Sequence, residues 1–467
     1  MATADQGLAA TVLETTRVRA LASSPDVYEL ARTLPSRPEG GPGRPNQFPD
    51  FVWVLFAGMT GIFGSARKTA AAMTDPVYWH LIREGVARCL GPAEALALPP
   101  RGPSRNQWNY HSRRLHTQLP RMQETFRDLA AAQALAAGYA HDDGHHPIAL
   151  PPRERFVVGD GTVVASPLRK TATRKAKKKR KAKTPDQPVR RRKSRRDPGA
   201  GWHYEGGEEE DGGHPVFGPK FVHLSVRGDR PLSRIILDMR YQPPGGGYGG
   251  EAAIAVTMTT DAVRRLPGLL GVCWDGALRG KHRDTLMKAG LQVVSPQHDG
   301  IQPRRLDPIT TCPCSRQHDL WAQDGAVHEA EILDTGDLHR TRCPILRPER
   351  RGRTGRTRWY HLIRLSCGNA HRIRLDTTPD DTRREFNRAE HLRQHPPDTD
   401  GYIHCYRWRP DAESLNAQLD ATLWNRRMIA YGAAQQTLIM LGFAIAQNAL
   451  TRHLHQRATD HGSQAAA

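Results

Sequence analysis

Five short β-branched segments lie between residues 156 and 296, and their order limits the folds open to this chain. FVVGDGTVVAS (156–166), VFGPKFVHLSVRG (216–228) and RIILDMRY (234–241) follow one another with no helical pattern between them. TDAVRRLPGLL (260–270) then has helical spacing, limited by Pro267. GVCWDGAL (271–278) reads as a short buried strand, KHRDTLMKAG (281–290) as a helix with Gly290 at its C′ position, and LQVVSP (291–296) as a final strand. Three hairpin-linked strands followed by helix-separated strands predict a mixed α/β sheet flanked by helices.

The flanking regions differ in pattern. Residues 1–150 read as a helical, DNA-binding domain, with a Pro/Gly-rich connector at 35–50. Asp75 before Pro76 is a helix start. Gly64-Ser65-Ala66-Arg67-Lys68 predicts a turn into a helix with a basic face. Arg67 and Lys68 are thus candidate DNA contacts, or equally the exposed cations of an ordinary bundle. Residues 151–296 form the first part of the α/β core, and 297–405 read as an irregular, β-rich insertion. Residues 406–454 supply the helical remainder of the core, with Gly432 and Gly442 as the weak points, and 455–467 a flexible tail. The longest apolar stretch, TLIMLGFAIA at 437–446, is too short to cross a bilayer and reads as a buried helix.

Charge narrows the class of partner. The chain carries 68 Lys and Arg against 48 Asp and Glu, a formal charge of +20. Residues 169–196 alone hold sixteen basic residues and one acid, so the rest is only mildly basic. This run, with the acidic EGGEEEDGG that follows, predicts a disordered insert over about 169–213. A polyanion is the natural partner, most simply double-stranded DNA. No secretory leader pattern is present, and seven Cys do not make a disulfide scaffold. A cytoplasmic, nucleoid-associated location is the expectation, with no membrane partner.

Three acids stand out by context. Asp160 sits mid-strand between two glycines, Asp275 ends a buried strand, and Glu413 opens the C-terminal helical segment. Each alone reads equally as a turn or cap residue. Together they match what phosphodiester chemistry requires: hard oxygen ligands for two Mg²⁺ or Mn²⁺ ions that clamp the attacking and leaving oxygens. Such a clamp requires Asp160 and Asp275 on adjacent strands. Glu385 and Glu390 are the competing third acids.

With Tyr406, Arg409 and Glu413 at spacings of three and four, the chain resembles the DDE transposases, the insertion-sequence branch with an RNase H-like core and a Tyr-x2-Arg-x3-Glu-x6-Lys signature. The fourth signature position is Asp420 instead of Lys, and Arg426 or Arg427 is a candidate substitute. The resemblance covers residues 156–454. It implies Asp160, Asp275 and Glu413 as catalytic, metal-binding carboxylates, with Tyr406 and Arg409 placing phosphates of the DNA ends. It also implies metal-dependent strand cleavage and transfer, and a homodimer that pairs two ends. Asn416 shares a helix face with Glu413 and is a candidate partner for a carboxylate or a phosphate. A non-catalytic DNA-binding descendant and an RNase H-like nuclease without strand transfer are the alternatives.

The insertion holds Cys312, Cys314, Cys343 and Cys367, a candidate zinc set, with His318 and His371 as alternative ligands. The bland alternative is four small buried thiols. Trp202, Trp274, Trp408 and Trp424 read as core or shelf residues, with base stacking considered for Trp408.

Overall fold

The computed structural model describes residues 12–35, 46–167, 197–205, 214–245, 250–352 and 356–466. The basic run 169–196, expected to be disordered, and residues 206–213 lie outside the described residues. The chain is a mixed α/β protein.

Its central sheet is built from β1 (Phe156–Val163), β4 (Lys220–Val226), β5 (Ile235–Gln242), β6 (Gly271–Cys273) and β7 (Gln292–Val294), in the order β5-β4-β1-β6-β7. β1, β4 and β5 pair antiparallel, whereas β6 runs parallel to β1 and β7 parallel to β6. β1 and β6 are therefore neighbours, as the carboxylate clamp requires. β1 is buried along nearly its whole length, because helices cover the sheet and leave no solvated face for alternation to mark.

Three boundaries differ from expectation. The 216–228 segment splits at Pro219 into β3 (His214–Gly218) and β4. β3 turns away to pair with β2 (Gly201–Glu205), since proline has no amide to continue the ladder. The helix expected from 260 instead spans Gly250–Arg265, ending just before Pro267. The C-terminal segment divides into helices Pro410–Thr422 and Ala433–Ala466, with Gly432 at φ +79° in the break.

Gly442 does not break the last helix. A Cβ there would lie 2.2 Å from the Ala57 carbonyl oxygen, and one at Gly61 would lie 2.6 Å from Phe443 Cα. The two glycines let the Asp50–Phe63 and Ala433–Ala466 helices touch backbone to backbone. The N-terminal helices thereby share one core with the sheet, running from Val18 to Ala449. Ser65 and Asp75 cap their helices by accepting from the amides of Lys68 (3.2 Å) and Val77 (2.8 Å). The last helix continues to Ala466, through the residues expected as a tail. No helix among the described residues is long and apolar enough to cross a membrane.

Residues 297–405 carry two small sheets. One has the order β11-β10-β9-β8 over β8 (Arg304–Arg305), β9 (Asp319–Gln323), β10 (Ala326–Ile332) and β11 (Leu338–Arg342). The other is β12 (Ile345–Arg351), β13 (Arg358–Arg364) and β14 (Ala370–Arg374).

Candidate metal centre

The register of the parallel pair brings two carboxylates together. Val158 of β1 stands opposite Cys273 of β6. Asp160 and Asp275 each lie two residues further on, so Asp160, within β1, stands beside Asp275, just past the C-terminal end of β6. Asp275 accepts from the Ala277 amide at 2.9 Å, a turn that fixes its side chain.

Glu251 is the third member, and the sequence reading missed it. Oxygens of Asp160, Glu251 and Asp275 lie within 4.8 Å of one another and could hold a metal ion. Glu251 opens the Gly250–Arg265 helix, where an acid is an ordinary first-turn residue. It is held by Trp274 Nε1, which donates at 3.0 Å, and by Lys220 Nζ at 2.8 Å.

This arrangement explains the glycines beside Asp160. A Cβ on Gly159 would fall 2.0 Å from the Trp274 ring, and one on Gly161 would fall 2.3 Å from the Glu251 carboxylate. The strand is bare at these positions so that the tryptophan and the glutamate can lie against it. A glycine pair flanking an acid in a β-branched run was the available signal that something packs there.

Asp160 is further fixed by the Pro410–Thr422 helix. Asn416 Nδ2 donates to Asp160 Oδ2 at 2.9 Å, while its Oδ1 lies 2.9 Å from His223 Nε2. Asn416 thus bonds a carboxylate, one of the two partners expected for it. Burial keeps His223 neutral, pushing its pKa down to about 3, so it can donate to Asn416 without adding charge. Arg409 Nη2 lies 3.2 Å from Asp160, and its Nη1 lies 3.6 Å from Glu413. Glu413 is thus one guanidinium away from Asp160, with a side chain 66% exposed at the rim.

Charge in the site is unbalanced. Burial raises Asp160 to about 6 despite the nearby Arg409, with Asp275 and Glu251 adding repulsion. Asp275 is raised by burial and by Glu251. Burial opposes the charge on Arg409, but Asp160, Asp275 and Glu413 together hold it charged. With all groups ionised, Asp160, Glu251, Asp275 and Glu413 exceed Lys220 and Arg409 by two negative charges. Three hard oxygen donors and that excess fit a divalent cation. Arg409 Nη1 is buried and makes no hydrogen bond, leaving a donor for an anionic ligand.

The other expected residues fall elsewhere. Tyr406 stacks on Tyr402, with ring centroids 4.9 Å apart, against the cluster around Phe156 and Trp408. Trp408 itself is buried against Phe156 and cannot stack on a base. The half-exposed tryptophans are Trp202 and Trp424. Glu390 accepts from the Gly280 amide at the start of the Gly280–Lys288 helix, and Glu385 lies in a turn at φ +54°. Neither belongs to the acidic group. Lys68 lies over the Trp424 ring, 4.2 Å from its centroid, and Arg67 is exposed beside it. Lys68, Arg17, Arg426 and Asp420 share the lining of a cavity of about 980 Å³ beside the Pro410–Thr422 helix.

Among the sulfur ligands, Cys312, Cys314 and Cys367 come together, joined by His318 and not by Cys343. Cys343 is buried, its amide bonded to the Val327 carbonyl, and is not a member of the cluster. His371, the other alternative, is not a member either. Comparison of the chain with protein-family models, with curated proteins and with solved structures finds no match in any of the three.

Proposed function

We propose that this protein is a DNA transposase of the DDE type, with an RNase H-like core that cleaves DNA strands at element ends and joins them to a target. The observation that carries this reading is the meeting of Asp160, within β1, and Asp275, just past the end of the parallel neighbour β6, with Arg409 ion-paired to Asp160. The sheet sets its first and fourth strands, β1 and β6, side by side, the neighbour relation that supports this reading.

Asp160, Asp275 and Glu251 are the residues that would hold divalent cations. Bound there, Mg²⁺ or Mn²⁺ would supply the charge that activates a water or a 3′-hydroxyl and stabilises the leaving oxygen. Asn416 holds the Asp160 carboxylate in place, and Trp274 with Lys220 holds Glu251. Arg409 offers its unbonded nitrogen to a phosphate oxygen. Glu413, exposed at the rim and 3.6 Å from Arg409, is the further acid expected from the Tyr406-Arg409-Glu413 spacing. Arg426 stands beside Asp420 and supplies the cation missing at that signature position. The run 169–196 begins six residues beyond β1 and tracks DNA phosphates through charge alone. A homodimer pairs the two ends.

The test is a supercoiled plasmid carrying the native element ends, incubated with Mg²⁺. Strand-transfer products that vanish with Asp160→Asn and Asp275→Asn are the expected result. Nicking without transfer would mark a nuclease. DNA binding without cutting would mark a non-catalytic descendant, the reading that Asp420 leaves open. Glu251→Gln and Glu413→Gln, compared side by side, identify which glutamate the chemistry needs.

A further inference from the structure

The insertion between β7 and the C-terminal helices contains a second cluster with chemistry of a different kind. Cys312 and Cys314 lie on one loop, His318 follows four residues later, and Cys367 sits on the β13–β14 turn. All four donor atoms lie within 4.8 Å of one another. We propose that these residues bind one structural zinc ion that fastens the loop 306–318 to the β13–β14 turn.

The distances suit a tetrahedral ion. Zinc–sulfur bonds of about 2.3 Å place two thiolates about 3.8 Å apart, and a thiolate about 3.5 Å from an imidazole nitrogen. Cys312 and Cys367 are separated by 3.7 Å between sulfurs, and Cys314 Sγ lies 3.2 Å from His318 Nε2. Four protein ligands leave no open position, which marks a structural site and not a catalytic one.

The backbone is shaped to present these ligands. The Ser315 amide bonds the Cys312 carbonyl at 2.9 Å, turning Cys314 back toward Cys312. Ile309 and His318 exchange two backbone bonds of 3.0 Å each, closing the loop and placing His318 beside the two thiols. The Gly368 amide bonds the Leu365 carbonyl, so Cys367 projects from the tip of its hairpin.

A surrounding shell orients the ligands. His318 Nδ1 pairs with the buried carboxylate of Glu329, which leaves Nε2 as the ligating nitrogen. Glu329 also accepts from the Ser366 amide and hydroxyl, both at 2.8 Å, one residue before Cys367. Asn369 Nδ2 points at the sulfurs of Cys312 (3.6 Å) and Cys367 (3.4 Å), as a donor to thiolates should. One carboxylate therefore ties the histidine ligand to the strand end that carries the third cysteine. A metal bound there would crosslink the loop to the hairpin across 55 residues of chain, adding to the packing of Ile309, Leu320 and Ile363.

The test is the metal content of the full-length protein purified without chelators. One zinc per chain is expected, retained by Cys343→Ser and lost by Cys314→Ser and His318→Ala. Glu329→Gln should weaken zinc about 10–100-fold in competition with a chromophoric chelator. If the ligand variants fail to fold, cobalt exchanged into the wild-type protein provides a second readout. Intense visible bands of a tetrahedral thiolate site support the proposal, and their absence overturns it. A wild-type protein without zinc, or with Cys312 and Cys367 joined as a disulfide, would also overturn it, as would loss of zinc from Cys343→Ser.

Discussion

Replacing Asp160 by asparagine should make the metal-free protein more stable while removing its response to divalent ions. Burial raises the Asp160 pKa from the ordinary 3.8 to about 6. At about 1.4 kcal/mol per tenfold change in proton affinity, ionising it inside the fold costs about 3 kcal/mol relative to the unfolded chain. The sign follows from the direction of the shift. Between pH 3.8 and about 6 the folded state binds more protons, so stability falls as pH rises through that window. The cost is complete above about pH 6 and is about half as large at pH 5. Asparagine carries no charge, but its single oxygen can accept from only one of the Asn416 and Gly161 amides, which Asp160 meets with separate oxygens. Asp160→Asn should therefore gain up to about 3 kcal/mol of electrostatic stability at pH 8 in chelator, and about half of that at pH 5, offset at both pH values by about 1 kcal/mol for the hydrogen bond it gives up. An unfolding entropy of about 2.1 cal/mol/K per residue converts the larger figure to a rise in Tm of about 3 °C for a chain of this length. Saturating Mg²⁺ should close the gap by stabilising the wild type alone, by about 2.7 kcal/mol at a hundred times Kd. Calorimetry at the two pH values, with and without Mg²⁺, measures all four quantities. A variant no more stable than wild type at pH 8, or one that Mg²⁺ stabilises equally, would refute the account of this site.

Other expectations rest on separate contacts. Gly159→Ala drives a methyl into the Trp274 ring and should destabilise by about 1–3 kcal/mol or more, read by denaturant unfolding, with loss of Mg²⁺ stabilisation as Glu251 is displaced. Asn416→Ala leaves His223 and Asp160 without their shared partner and should cost about 1–3 kcal/mol in stability; a neutral result would show that water replaces the amide. Asp411 accepts from Arg153 (2.5 Å) and Arg227 (3.0 Å), with Arg234 3.9 Å away, so Asp411→Asn should cost about 1–3 kcal/mol in denaturant unfolding by removing a carboxylate charge that three guanidiniums share. Deleting residues 169–196 should weaken DNA binding and flatten its dependence on salt; an unchanged slope in a titration from low to high salt would mean that the run makes no phosphate contact.

Asp160 and Asp275 were legible in the sequence because their signals are local. A carboxylate inside a β-branched run is costly, and strand alternation and turn preference act over a few neighbouring residues. The same locality explains why the order of the five sheet strands along the chain could be read, along with the helix start at Asp75 and the turn into a helix at 64–68. Glu251 carried no such mark: an acid in the first turn of a helix is ordinary, and only the approach of Trp274 and Lys220 makes it part of the site. Gly442 looked like a helix break by propensity, yet it is a contact point, since its missing side chain matters only against the Ala57 backbone. Cys343 was the expected fourth zinc ligand, with His318 and His371 as alternatives. Cys343 and His318 are both buried, and the strand pairings turned only His318 toward Cys314. Charges and ligands from distant segments meet according to register and packing, which are properties of the whole folded chain and leave no trace in any short window of it.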